Sequence, residues 1–90
     1  MGRIGVLKEL RYPMIRYRLK ELIAEKEFQE GRRVTIDEVA KETGVHRTTL
    51  SKIANQKGYK TNTEVLAKLC QFFKVEIGQV AEYLEEDAGQ

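Results

Sequence analysis

The segment Ile36–Asn55 constrains the fold more than any other part of the sequence, because its small and apolar residues stand at fixed spacings. Ala40 offers a small side chain where one helix touches the next, and Gly44 follows where a tight turn requires positive φ. Apolar side chains that join this pair of helices to a core are Val39, Val45, Leu50 and Ile53. The segment therefore predicts two short helices joined by a turn of three or four residues.

Apolar residues recur at intervals of three and four along the rest of the chain, which predicts further helices. The stripe Ile15, Leu19, Leu22 and Ile23 predicts a first helix that begins after Pro13 and ends near Gly31. Thr35 and Glu38 form a capping-box pattern that predicts the start of the second helix. The third helix is predicted from about His46 to Asn55.

Two more helices are predicted in the last third of the chain. A second capping-box pattern, Thr61–Glu64, precedes an apolar stripe that includes Cys70, Phe72 and Phe73. The final helix is predicted from the spacing of Ile77, Val80, Ala81 and Leu84. The prediction is therefore an all-α fold of five helices.

The length of 90 residues allows one small domain, and a hydrophobic fraction of 41% with 33% charged residues is ordinary for a globular protein. We expect an N-terminal arm or tail over residues 1–13, a compact domain over 14–85 and an acidic tail over 86–90. The arm carries basic and apolar residues and is interpreted as a frayed tail, a basic arm on DNA or a dimerisation strand.

The pattern of Ile36–Asn55, with the helix at Leu66–Leu69 and the join Phe73–Val75, resembles the Cro and lambda-repressor-like helix-turn-helix domains, also called the XRE family. The resemblance extends over roughly residues 15–84. It implies a compact five-helix lambda-repressor-like DNA-binding domain whose third helix enters the major groove of double-stranded DNA. The chain departs from the family pattern in its long link Glu27–Val34, at Thr43 and at Ile36.

With its apolar residues turned to the core, the third helix carries a continuous polar stripe without an acid. Arginine can donate two hydrogen bonds to guanine and asparagine can bind adenine in the same bidentate way, while serine, threonine and lysine can bind bases or phosphates. An exposed helix face that is merely solvated is the alternative. The predicted base-reading residues are Arg47, Thr48, Ser51, Lys52 and Asn55.

A second group of polar residues borders this stripe and is predicted to contact the DNA backbone. These residues are His46, Thr49, Lys57, Tyr59 and Lys60. From Lys41 to Lys60 the chain has five basic residues against one acid, whereas Glu76–Gln90 has five acids and no base. Such an uneven distribution indicates a basic binding face and an acidic face turned away from it.

Other classes of function find little support in the sequence. The single cysteine, Cys70, and the single histidine, His46, cannot form a closed metal site, so no metal or cofactor is expected. The sequence has no phosphate-cradling glycine loop and no nucleophile motif, so we expect no enzyme. No apolar run is long enough to span a membrane, which predicts a cytoplasmic protein.

The function predicted from these residues and from the resemblance is a sequence-specific DNA-binding transcriptional regulator, in particular a repressor. The alternative is a protein-interaction module, such as an antitoxin or the partner of another regulator. A homodimer is expected on DNA, because one short helix reads too few base pairs to select a site in a genome. The candidate dimer surfaces are the apolar residues of Met1–Leu10 and the last helices around Phe72, Tyr83 and Leu84.

Overall fold

The computed structural model describes residues 11–87, with side chains for residues 13–85. Within that range the chain forms five helices between two strands, so the fold is mostly helical rather than purely all-α. The elements are β1 Arg11–Tyr17, α1 Leu19–Glu30, α2 Ile36–Thr43, α3 Arg47–Asn55, α4 Thr63–Phe73, α5 Ile77–Val80 and β2 Ala81–Asp87.

The two strands pair antiparallel, with Arg11 opposite Asp87 and Tyr17 opposite Ala81. We call this pair the ribbon. The backbone N–H of Arg18 donates to the carbonyl of Val80 at 2.8 Å, which joins the ribbon to the start of α1 and the end of α5.

The ribbon corrects two predictions. The predicted first helix included Ile15, but α1 begins at Leu19; the predicted last helix extended to Leu84, but α5 ends at Val80. Both stripes have helical spacing, yet β-branched and aromatic residues such as Ile15 and Tyr83 also suit a strand. Pairing between the two ends of the described chain decides in favour of strands, and local periodicity does not reveal such a partner.

The division into an arm, a domain and a tail stays a prediction. Residues 1–10 of the expected arm, with one of the two candidate dimer surfaces, lie outside the described residues, as do residues 88–90 of the expected tail.

A single apolar cluster receives side chains from every helix in the described range and from the loops before α2 and α3. Leu19 and Val80 are fully buried where the ribbon meets the helices, and partly buried side chains, including Cys70 and Phe73, pack around the cluster. Its buried members are Leu19, Val34, Val39, Val45, Leu50, Ile53, Leu69 and Val80.

The long link between α1 and α2 is held by side chains. Gly31 ends α1 in the left-handed conformation at φ 67°, as predicted. The Glu27 carboxylate accepts a hydrogen bond from the backbone N–H of Val34 at 2.8 Å. Arg32 donates from Nη1 and Nη2 to the two carboxylate oxygens of Glu38, at 2.8 and 2.6 Å. The link is therefore fixed at both ends despite its length.

Helix capping follows the predictions only in part. Thr35 Oγ1 accepts from the backbone N–H of Glu38 at 3.1 Å, but the Glu38 carboxylate pairs with Arg32, so the second half of the predicted capping box is wrong. The cap of α4 is Asn62, one residue after the predicted Thr61, and its Oδ1 accepts from the N–H of Val65 at 2.9 Å.

The turn between α2 and α3 depends on Thr43 and Gly44. Gly44 has φ 76°, the left-handed conformation that disfavours residues with a Cβ. Thr43 Oγ1 donates to the carbonyl of Val39 at 2.7 Å and accepts from the N–H of Val45 at 3.1 Å. A hydroxyl at position 43 therefore supplies an acceptor to a partly buried turn, which explains why an apolar residue is not required there.

Replacing Thr43 with Val should destabilise the domain by about 0.5–1.5 kcal/mol, because the N–H of Val45 would lose its acceptor in a partly buried hydrogen bond. Thr43→Ser keeps the hydroxyl and is the matched control, expected to cost less. The measurement is the free energy of unfolding in urea. Equal losses in the two variants would show that the hydroxyl has no role in the turn.

The Arg32 guanidinium, through its hydrogen bonds, lowers the pKa of the Glu38 carboxyl from its ordinary value of 4.5. A lowered pKa in the folded state stabilises the fold above pH 4.5, and this stabilisation is lost as the pH falls through the folded-state pKa. Glu38→Gln should therefore lower the melting temperature near neutral pH and make no difference in strong acid.

Glu42→Gln is the control for this pH dependence, since Glu42 is an exposed carboxylate on the same helix. A melting-temperature deficit of Glu38→Gln that stays constant from neutral to acid pH would contradict the assigned role of the ion pair.

Candidate nucleic-acid interface

The position of α3 in the domain determines which of its side chains reach the surface. Leu50 and Ile53 are buried, and Val45 is buried just before the helix begins, so one side of α3 is fixed to the core. The predicted start at about His46 is confirmed to within one residue, because His46 is the N-cap residue and α3 runs from Arg47 to Asn55. Ala40 lies half-buried on α2 against the same core.

All five predicted base-reading residues are exposed. They lie on the side of α3 that faces away from the core, as their spacing from Leu50 and Ile53 requires. Around them α3 carries no acid of its own. The exposed residues are Arg47, Thr48, Ser51, Lys52 and Asn55.

Three of these side chains have defined contacts with their surroundings. Asn55 Nδ2 donates to the carbonyl of Ser51 at 2.9 Å, one helical turn earlier. The ammonium group of Lys52 lies 6.0 Å from the centroid of the Tyr59 ring. Arg47 Nε lies 2.9 Å from an Asp37 carboxylate oxygen on α2. Side-chain exposure at both members of this last pair leaves them accessible to a ligand.

The residues predicted to contact the DNA backbone lie before α3, in its first turn and in the loop that follows it. His46 is exposed and makes no side-chain capping bond, while Thr49 is half-buried. After the helix, Lys57 and Lys60 are exposed and Tyr59 is half-buried.

Tyr59 is held in place by the first strand. The Tyr17 hydroxyl donates to the backbone carbonyl of Tyr59 at 2.9 Å. Burial, and then the proximity of Tyr59, raise the pKa of the Tyr17 hydroxyl above its ordinary value of 10.0, so it stays a donor at neutral pH. The loop that carries Lys57 and Lys60 is thus fixed to the base of the ribbon.

Sequence reasoning missed two basic residues next to α3. Lys20 of α1 and Arg33 of the α1–α2 link are exposed and line one groove together with Ile36 and Asn55. The only sequence signal was the basic pair Arg32–Arg33 in a link of unexpected length. The placement of Arg33 relative to α3 depends on the hydrogen bonds that Glu27 and Glu38 make with the link. The sequence pattern does not reveal these hydrogen bonds.

The described residues form neither a metal-binding cluster nor a membrane-spanning helix. Residues 11–87 contain no group of three or more His, Cys, Asp or Glu side chains placed to hold a metal ion. Over the same range, no helix has the length and apolar character needed to cross a membrane.

Comparison with known proteins gives one family and one similar structure. The family model described as the Cro/C1-type HTH DNA-binding domain matches residues 18–86. No curated protein matches the sequence. Among solved structures, the transcriptional regulator VanUg (crystal form II) is similar with a TM-score of 0.64 at 20% identity. The similarity covers 82% of this chain and 89% of that one, and it is a likeness of fold.

Proposed function

The chain belongs to the family of Cro/C1-type HTH DNA-binding domains, and we propose that it is a transcriptional repressor that inserts α3 into the major groove of its operator. The observation that carries the proposal is the exposed, acid-free face of α3 opposite a buried apolar face. In helix-turn-helix proteins the second helix of the motif lies in the major groove and its N-terminal residues contact base edges.

The chemistry of this face suits bases of several kinds. Arg47, at the start of α3, can donate two hydrogen bonds to O6 and N7 of guanine. Asn55, two turns later, can bind N6 and N7 of adenine once its contact with the Ser51 carbonyl is released. Thr48, Ser51 and Lys52 lie between them and can contact bases or phosphates.

The flanking residues are proposed to hold the phosphate backbone. Lys57 and Lys60 follow α3 on a loop anchored through Tyr17 and Tyr59, and His46 and Thr49 flank its first turn. Lys20 and Arg33 extend the basic surface beyond Asn55. Contacts of this kind fix register and add affinity without reading the sequence.

Repression requires nothing beyond binding, since a protein seated on an operator excludes other proteins from the same DNA. The alternative, a protein-interaction module such as an antitoxin, is favoured by exposed side chains of the ribbon, which include Ile15, Tyr83 and Glu85. Tyr83 is 62% exposed and Ile15 is 40% exposed, and they face each other across the ribbon. We assign these residues to self-association below.

Arg47→Ala should lower affinity for a duplex selected from a random pool and relax the preference at one base position, because a bidentate base contact gives about 1–3 kcal/mol of discrimination. Lys60→Ala should instead weaken selected and random duplexes about equally and reduce the salt dependence of binding. Binding is measured by fluorescence anisotropy at several salt concentrations.

Lys68→Ala is the matched control for loss of a positive charge. Lys68 lies with Glu42 and Phe72 in a groove that contains none of the predicted DNA-contacting residues, so its removal should leave DNA binding almost unchanged. If Arg47→Ala weakened selected and random duplexes to the same degree, the assignment of Arg47 to base reading would be wrong.

We propose a homodimer on DNA that buries the ribbon face carrying Ile15 and Tyr83. An isolated two-stranded ribbon is marginally stable in water, and this one places two large side chains opposite each other on an exposed face. Phe72 and Leu84, the other candidates of the predicted surface, are both half-buried and offer less free area. The Lys26 ammonium lies 4.8 Å from the centroid of the Phe72 ring.

Light scattering should give two chains per duplex at an operator with two half-sites about 34–36 Å apart. Tyr83→Ser should reduce the complex to one chain, whereas Phe28→Ser, at an exposed aromatic on α1, should leave two. One wild-type chain bound to a site without inverted symmetry would rule out the dimer.

A further inference from the structure

Arg47 is joined to an acid that does not belong to its own helix. Its Nε lies 2.9 Å from Oδ1 of Asp37, in the first turn of α2, and the side chains are 71% and 70% exposed. Since α3 has no acid of its own, the carboxylate that pairs with Arg47 comes from α2. The position of that carboxylate is set by the buried packing between α2 and α3.

The atoms in this contact leave the outer edge of the guanidinium available. Arginine has five N–H donors, one on Nε and four on the two Nη atoms. Asp37 is paired through Nε, whereas a bidentate contact with guanine can use Nη1 and Nη2 for O6 and N7. The ion pair can therefore persist while Arg47 binds a base.

The attraction to Asp37 also favours those rotamers of Arg47 that keep its guanidinium beside the carboxylate. An arginine held in one geometry loses less conformational entropy when it binds, which favours the base whose acceptors match that geometry. We infer that Asp37 is a positioning residue for base reading: it orients the Arg47 guanidinium toward a guanine. This inference rests on the proposed function.

A negative charge at this surface also has an opposite effect on general affinity for DNA. The Asp37 carboxylate repels nearby phosphates, so its removal should strengthen binding to any duplex. In the free protein an exposed ion pair adds little to stability. Removing Asp37 should therefore lower the discrimination between sequences, because positioning is lost, and raise the affinity for random DNA, because repulsion is lost. A purely structural role would not change these two quantities in opposite directions.

The test uses the full chain and three DNA probes: a duplex selected by the wild-type protein from a random pool, a random duplex of equal length, and the selected duplex with 7-deazaguanine at each guanine in turn. The last probe removes the N7 acceptor at one position. Asp37→Asn should bind random DNA more tightly, and its preference for guanine over 7-deazaguanine at the Arg47 position should fall by about fivefold.

Two further variants make the result specific to the ion pair. Glu42→Gln removes an exposed carboxylate from the same helix and should leave the guanine preference unchanged. Adding Asp37→Asn to Arg47→Ala should not lower the preference further, because the residue being positioned is absent. Thermal denaturation of each variant verifies that the domain is folded.

The outcomes separate the inference from the function on which it rests. If the wild-type protein selects no sequence from the pool, the proposed function is wrong and the inference fails with it. If the wild-type protein discriminates against 7-deazaguanine through Arg47 and Asp37→Asn does so equally or better, Asp37 only repels or competes with DNA. That second result overturns the inference and leaves the proposed function intact.

Discussion

Burial of apolar side chains on both sides of the α2–α3 turn fixes the rotation of α3 about its own axis. Leu50 and Ile53 are in the core, and a rotation by one residue position would expose both. Burying a side chain of this size contributes about 1.5–3 kcal/mol, so exposing two would remove a large part of the stability of about 5–15 kcal/mol that is typical of a domain. The polar face of α3 is therefore presented at the surface in one orientation.

The turn and the link between helices are held in place by hydrogen bonds from polar side chains, whereas the helices are held by burial of apolar side chains. Thr43 supplies an acceptor to the partly buried turn, and Glu27 and Arg32 hold the link that precedes α2. These contacts set the entry of α2, and with it the place of Asp37 beside Arg47. The surface chemistry of α3 thus depends on residues that are themselves remote from it.

How much of this fold the sequence reveals depends on how far apart in the chain the interacting residues are. The α2–α3 unit was predictable because Ala40, Gly44 and Leu50 act within a few turns of one another. The ribbon was not, since Ile15 and its partner Tyr83 are separated in the sequence by all five helices of the described range. The polar face of α3 follows from helical periodicity, whereas the Asp37–Arg47 pair and the groove with Lys20 and Arg33 require the three-dimensional arrangement.

Pairing of Arg11 with Asp87 brings the two ends of the described chain side by side at the tip of the ribbon. Between these two residues the path of the backbone is thus almost a closed ring, so the unit of residues 11–87 has adjacent ends. Domains with adjacent ends tolerate circular permutation and insertion into other proteins. This domain is therefore suited to placement within a loop of a host protein, where the host would hold the two strands together as their own pairing does.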